Sequence, residues 1–305
     1  MKLGKNVLLS VSVLAGTLGV GGPTAHAIIS AGDPSDPSLV VWLNARNIDG
    51  QNNTTLTDGS LVGSWLNIAT GTDSATGTGA QRPTLVTNGF GNRPVLRFDG
   101  TANELADTVS GIVTGQGLTI FFLQQQSLAQ ETLTVSHTGF FGTYNGNLTG
   151  YYLDEASNFG FFAGTDNGQP QSGGGSPRST SGGNSLATVN NPLILAARQD
   201  STTMSLYTNG VQVSSAVSGI IVPGATAFAV GNDGRGAPSG GAYGDGFWTG
   251  DFRDVLIYNR ALSPSEFASV ETFLANEIPE PSTIALFAVG GGWLFLRRRS
   301  RSSGY

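Results

Sequence analysis

The chain has 305 residues, no cysteine, only two histidines and 45 glycines, with charged residues at 12%. Disulfides, iron–sulfur clusters and thiolate zinc sites are therefore excluded, and the composition suits many short strands and tight turns better than long helices. The formal net charge of −6 hides an uneven split: residues 28–278 keep nine arginines, no lysine and 20 of the 21 acids, a net charge of −11 that repels nucleic acid and anionic lipid.

At the start, Lys2 and Lys5 precede an apolar run over 7–20 and the small-x-small triplet Ala25-His26-Ala27. This is the pattern of a secretory signal peptide over 1–27, with Ala25 and Ala27 at the cleavage site. Residues 28–38 read as a linker broken by Asp33-Pro34 and Asp36-Pro37. The first core strand is expected over 39–43, apolar on both faces and so covered on both sides. After a loop over 47–60, further strands are expected around 62–68 (with Trp65), 82–86 and 93–100. The strongly apolar stretch 118–123 reads as a central strand. The Gly/Phe/Tyr-rich zone 140–164 carries three more, and 168–189 reads as a long protruding Gly/Ser loop. The core resumes at 193–197. Segments 204–208 and 211–215, joined by Asn209-Gly210, form a hairpin, because Asn-Gly favours a type I′ turn.

A long strand is expected over 247–259. Ser263-Pro264-Ser265-Glu266 then combines an N-cap serine, proline at the first helical position and glutamate three residues after the cap. The spacing predicts one helix over 264–276, with Phe267, Val270, Glu271 and Leu274 on one stripe. The whole reads as an all-β, two-sheet antiparallel sandwich over 39–276 with one C-terminal surface helix.

Four stretches sharpen this: Leu39-Val40-Val41-Trp42-Leu43-Asn44-Ala45, Arg93-Pro94-Val95-Leu96-Arg97-Phe98-Asp99-Gly100, Leu206-Tyr207-Thr208-Asn209-Gly210, and the run from Gly250-Asp251-Phe252-Arg253-Asp254 through Val255-Leu256-Ile257-Tyr258 to Asn259-Arg260-Ala261-Leu262-Ser263. They resemble the laminin-G-like, concanavalin A-like jelly-roll superfamily. It holds lectins, adhesion modules and glycan-active enzymes, so the resemblance leaves function open.

Chemistry is sparse in this body. A glycosidase needs two convergent carboxylates, and enzymes on this fold usually carry them clustered on one strand; no such cluster is found. Asp154-Glu155 are neighbours that point to opposite faces of a strand, and His137 has no serine or aspartate context. The expectation is a non-enzymatic protein, with a polysaccharide hydrolase or lyase as the remote alternative. A nearer alternative is a calcium-assisted carbohydrate-binding module. Asp233 and Asp245 flank a Gly-rich loop whose oxygen atoms suit calcium, and Tyr151, Tyr152, Tyr243 and Trp248 are candidates for stacking on sugars. Turn chemistry and core packing are the ordinary explanations for these residues.

The tail over 277–305 carries the sharpest pattern. Pro279-Glu280-Pro281 precedes an uncharged apolar run over 282–296, followed by Arg297, Arg298, Arg299 and Arg301. As a helix, 15 residues span about 22 Å, short of a bilayer core of about 30 Å. The arginines behind it would stay cytoplasmic. The order of parts resembles the PEP-CTERM sorting signal of Gram-negative bacteria; a plain single-pass tail anchor is the simpler alternative. The resemblance implies an exosortase, a membrane transpeptidase, as processing partner. It implies a single transmembrane helix at 282–296 in an inner-membrane intermediate, and delivery to the outer surface or matrix, where extracellular polysaccharide is the natural contact.

Overall fold

The computed structural model describes residues 33–109, 111–112, 116–127, 138–144, 150–155, 159–164, 178–181, 191–217, 227–232 and 246–278. The expected signal peptide and the apolar tail lie outside them, as does the loop carrying Asp233, Tyr243 and Asp245. No helix among the described residues is long and apolar enough to cross a membrane.

Two sheets form the fold. The first contains β1 (Leu39–Asn44), β4 (Thr84–Val86), β5 (Val95–Asp99), β7 (Leu118–Gln126), β12 (Leu193–Gln199), β13 (Thr203–Thr208), β14 (Val211–Val217) and β17 (Thr249–Tyr258). The second contains β2 (Ser64–Leu66), β3 (Ser74–Thr76), β6 (Leu105–Asp107), β8 (Thr138–Tyr144), β9 (Gly150–Glu155), β10 (Phe159–Gly164), β11 (Arg178–Ser181), β15 (Ala227–Val230) and β16 (Gly246–Phe247). The first sheet runs β14-β13-β12-β7-β17-β5-β4, with β1 also on β17; the second runs β11-β10-β9-β8-β15-β6-β3-β2, with β16 added in parallel to β8.

Strand β17 organises the first sheet. One edge pairs with β7 along its length; the other pairs first with β5 (Thr249 opposite Asp99 to Phe252 opposite Leu96) and then with β1 (Asp254 opposite Asn44 to Tyr258 opposite Leu39). Against β7 the register slips: Phe252 faces Gln124 but Asp254 faces Leu123, which leaves Arg253 as an extra, bulged residue. Because side chains alternate with period two, one extra residue exchanges the faces. Phe252, Val255 and Ile257 therefore all enter the core between the sheets, while Leu256 and Tyr258 face the other way. Strand β7 divides likewise, with Leu118, Ile120 and Phe122 inward and Phe121 and Leu123 outward. This is the burial on both faces that the apolar runs required.

The outward face is covered by α1 (Pro264–Asn276). Ser263 caps it: its side chain accepts from Glu266 N–H, and the Glu266 carboxylate accepts from Ser263 N–H at 2.8 Å. Phe267, Val270, Glu271 and Leu274 form the buried stripe. Phe267 packs on Phe121 and Tyr207 at ring separations of 4.8 and 4.5 Å, and Phe273 meets Trp42 edge-on at 5.9 Å. Each large apolar side chain buried here contributes about 1.5–3 kcal/mol.

The hairpin forms as expected, with Asn209 and Gly210 at φ +47° and +76°, and β8–β10 fill the aromatic zone. Three expectations need correction. The segment 168–189 is not loop throughout, because β11 pairs with β10 there. Its Arg-Ser-Thr-Ser composition carries no apolar alternation. The strand expected over 247–259 is broken at Trp248. Four short strands, β3, β6, β11 and β15, went unforeseen for want of a readable period.

Candidate functional site

The most elaborate polar arrangement among the described residues lies where α1 ends. The bulge turns Arg253 toward the helix side, where its side chain is fully buried. Its guanidinium donates to the Pro94 carbonyl at 3.0 Å and to Glu277 Oε2. Arg93 donates to the same Oε2 at 2.9 Å and to the Asn276 carbonyl at 3.0 Å, and Arg46 reaches Glu277 Oε1 at 3.5 Å. Glu277, the C-cap residue of α1, is thus held by three arginines from β17, the segment before β5 and the segment after β1. Burial raises the Glu277 carboxyl, but Arg253 first, then Arg46 and Arg93, outweigh it and hold the group below its ordinary value.

Beside this clamp, Asp254 is sealed from solvent. Its Oδ1 accepts from Asn44 Nδ2 at 2.6 Å and from Trp42 Nε1 at 3.2 Å. Burial pushes its carboxyl up to about 6, against the pull of Arg253. With no solvent access, this acid has no route to a substrate and serves the packing.

Open grooves lie at two places on the first sheet. One, of about 380 Å³, lies at the rim of the first sheet, lined by Arg97, Asp99, Gln125, Ser127, Thr249 and Asp251 among others. Its central feature is a two-point ion pair, Arg97 Nε to Asp251 Oδ1 at 2.8 Å and Arg97 Nη2 to Asp251 Oδ2 at 2.9 Å. A carboxylate gripped at both oxygens is a poor general acid or base. The other groove, of about 500 Å³, runs between α1 and the β13–β14 turn and includes Tyr207, Gly210, Phe267 and Glu271. Burial pushes Glu271 up to about 7, opposed by the Gly210 N–H. Among the described residues it is the single carboxylate lining this groove.

The residues proposed for sugar contact separate. Trp248 is fully buried, stacked on Phe252 at 4.2 Å and laid over Gly250, where a Cβ would come within 2.4 Å of its ring. It is a core residue and offers no face to a ligand, which corrects its assignment to glycan contact. Tyr151 and Tyr152 lie on β9, in register with Thr143 and Gly142 of β8. Asp233, Asp245 and Tyr243, and the motif Pro279-Glu280-Pro281 with its arginines, lie outside the described residues. Among the described residues, no group of three or more His, Asp or Glu side chains is placed to hold a metal. Asn53 donates its Nδ2 to the Ala45 carbonyl at 2.7 Å, and its Oδ1 accepts from the Ile48 N–H at 2.7 Å.

Two antiparallel sheets, one of them covered by a single helix, define a jelly-roll type β-sandwich. Residues 100–268 match the concanavalin A-like lectin/glucanases superfamily, and the chain belongs to that superfamily. Residues 277–300 match the PEP-CTERM protein-sorting motif, so the chain carries that signal from the clamp residue Glu277 onward. No curated protein sequence matches the chain.

Among solved structures, the receptor binding domain of a botulinum neurotoxin C/D mosaic is similar at a TM-score of 0.53 and 11% identity, over 77% of this chain and 51% of that one. The botulinum neurotoxin serotype D ligand binding domain in complex with N-acetylneuraminic acid gives 0.50 and 12%, over 77% and 51%. A Trypanosoma rangeli sialidase gives 0.46 and 17%, over 79% and 33%. The chain spans about half the length of the neurotoxin domains it matches. At these identities the likeness concerns the fold alone.

Proposed function

We propose that this is an exported, non-catalytic surface or matrix protein whose sandwich serves structural, adhesive or glycan contact. In this reading the tail holds a membrane-bound intermediate until an exosortase processes it at the motif. The observation that carries it is the sorting motif at 277–300, which begins at the C-cap of the last element of the sandwich. The chain order supports it: cleavable leader, sandwich, Pro279-Glu280-Pro281, uncharged apolar run, arginines. So does the site chemistry, since Asp254 is sealed, Glu271 is the one carboxylate among the described residues lining its groove, and Asp251 is tied up by Arg97. Superfamily membership and the neurotoxin domain crystallised with N-acetylneuraminic acid are in keeping with contact to a polysaccharide matrix.

The test is a reporter fused to residues 278–305, expressed with and without an exosortase. The reading predicts processing and release only with the enzyme. Processing that persists without it would sink the sorting part of the proposal.

A further inference from the structure

The clamp and the motif are separated by one residue. Glu277 is fixed by Arg46, Arg93 and Arg253, the carbonyl of Asn276 is fixed by Arg93, and Ile278 still packs against the helix-side core and donates to the Ala275 carbonyl at 3.1 Å. Pro279 follows at once. The helix could have ended on glycine or frayed into a flexible linker. Instead, its last turn is tied by ion pairs to three separate parts of the first sheet. One tie is the fully buried Arg253, which the β17 bulge aims at this spot. Ionic ties of this kind cost desolvation, and α1 is already capped and packed along its stripe.

Reach makes the consequence geometric. Four residues separate Glu277 from Ser282, where the apolar run begins, so at about 3.4 Å per step the folded body lies within about 17 Å of that run even at full extension. A body of about 240 residues has a radius of gyration of about 18 Å. The tether is shorter than the body is wide, so the domain cannot turn freely on it. On the sorting reading above, with 282–296 in the membrane, the end bearing Arg46 and Arg93 faces the membrane. These two side chains are 61% and 33% exposed.

We propose that the Arg46/Arg93/Arg253–Glu277 clamp positions the sorting motif: it fixes the chain at Glu277 and Ile278, one residue before Pro279, so that the motif meets the membrane-embedded processing enzyme at a short, set distance from the folded sandwich. The inference rests on the sorting reading above. It adds that processing is coupled to folding and that the clamp end of the sandwich is the surface which meets the enzyme. Arg46, Arg93 and Arg253 are positioning residues, and none needs to touch the reacting bond.

The experiment uses the full-length chain in cells that hold the processing enzyme. Conversion of precursor to mature protein is followed by pulse-labelling, and resistance of the sandwich to trypsin is measured in parallel. Inserting a twelve-residue Gly-Ser segment between Ile278 and Pro279 leaves the clamp, core and motif intact but uncouples them. Conversion should slow about tenfold with trypsin resistance unchanged. Glu277→Gln should slow it in the same direction by a smaller factor. Conversion of the insertion variant at the wild-type rate, or faster, overturns the proposal. If the unaltered precursor is itself never converted by the enzyme, the sorting reading fails, and this inference with it.

Discussion

The two ends of α1 are held by the same chemistry in opposite styles. At the N-terminal end the ties are local: Ser263 and Glu266 close a capping box, and Glu266 is gripped by Arg260, six residues earlier, at 2.8 and 2.9 Å. At the C-terminal end they are long-range, since Arg46 is 231 residues from Glu277, Arg93 is 184 and the buried Arg253 is 24. A local box needs only its own segment to form. A long-range clamp forms only when β1, β5 and β17 are already assembled. The first starts a helix; the second reports that the sheet beneath it is complete, at the point where the chain departs for its sorting motif.

The sharpest way to break this contrast is Arg253→Ala. It strands Glu277 and Asp254 without their buried cation, and unfolding free energy should drop by about 3–5 kcal/mol, read from the denaturant midpoint. A loss under 1 kcal/mol would show that the clamp is ornamental.

Next comes pH. Asp254 and Glu271 hold protons in the folded state that the unfolded chain releases at the ordinary values of 3.8 and 4.5, because burial raises the first to about 6 and the second to about 7. Unfolding free energy therefore falls as pH rises across those windows. The effect is on the order of 2 kcal/mol for each group, after discounting Glu271 for the open groove beside it. Glu266, lowered to about 2 chiefly by Arg260, works in the other direction: its contribution is present above pH 4.5 and lost as pH falls toward 2. Urea titrations at several pH values should find greatest stability in the mildly acidic range, and Glu271→Gln should flatten the slope up to neutrality.

The smallest effects belong to the local end and the exposed rim. Ser263→Ala should cost about 1 kcal/mol through the lost cap. Arg46→Ala should cost under about 0.5 kcal/mol, since its pair with Glu277 is long and largely solvated. A larger loss for Arg46→Ala than for Ser263→Ala would invert the ranking on which the contrast rests.

What the sequence disclosed divides along the same line. The helix over 264–276 was legible to the residue, because Ser263, Pro264 and Glu266 form a local code. The β13–β14 turn was equally plain in Asn209-Gly210. The clamp was hidden. Simple alternation through Asp251-Phe252-Arg253-Asp254 puts Arg253 and Val255 on one face; only the slip against β7, a property of the paired strand, separates them and sends Arg253 toward Glu277. Trp248 was misjudged for a related reason, since an aromatic before a strand says nothing of whether a glycine two residues on will let it fold inward. The short strands Ser74–Thr76 and Arg178–Ser181 are polar segments recruited by their neighbours.

The central claim is that a passive sandwich is delivered by processing at the motif which its last helix presents. Mass spectrometry of the protein recovered from cells that make it reads this directly at the C-terminus. The account requires a mature chain that starts near Ile28, keeps Glu277 and lacks the arginine cluster 297–301. A recovered protein that still ends at Tyr305 would contradict it.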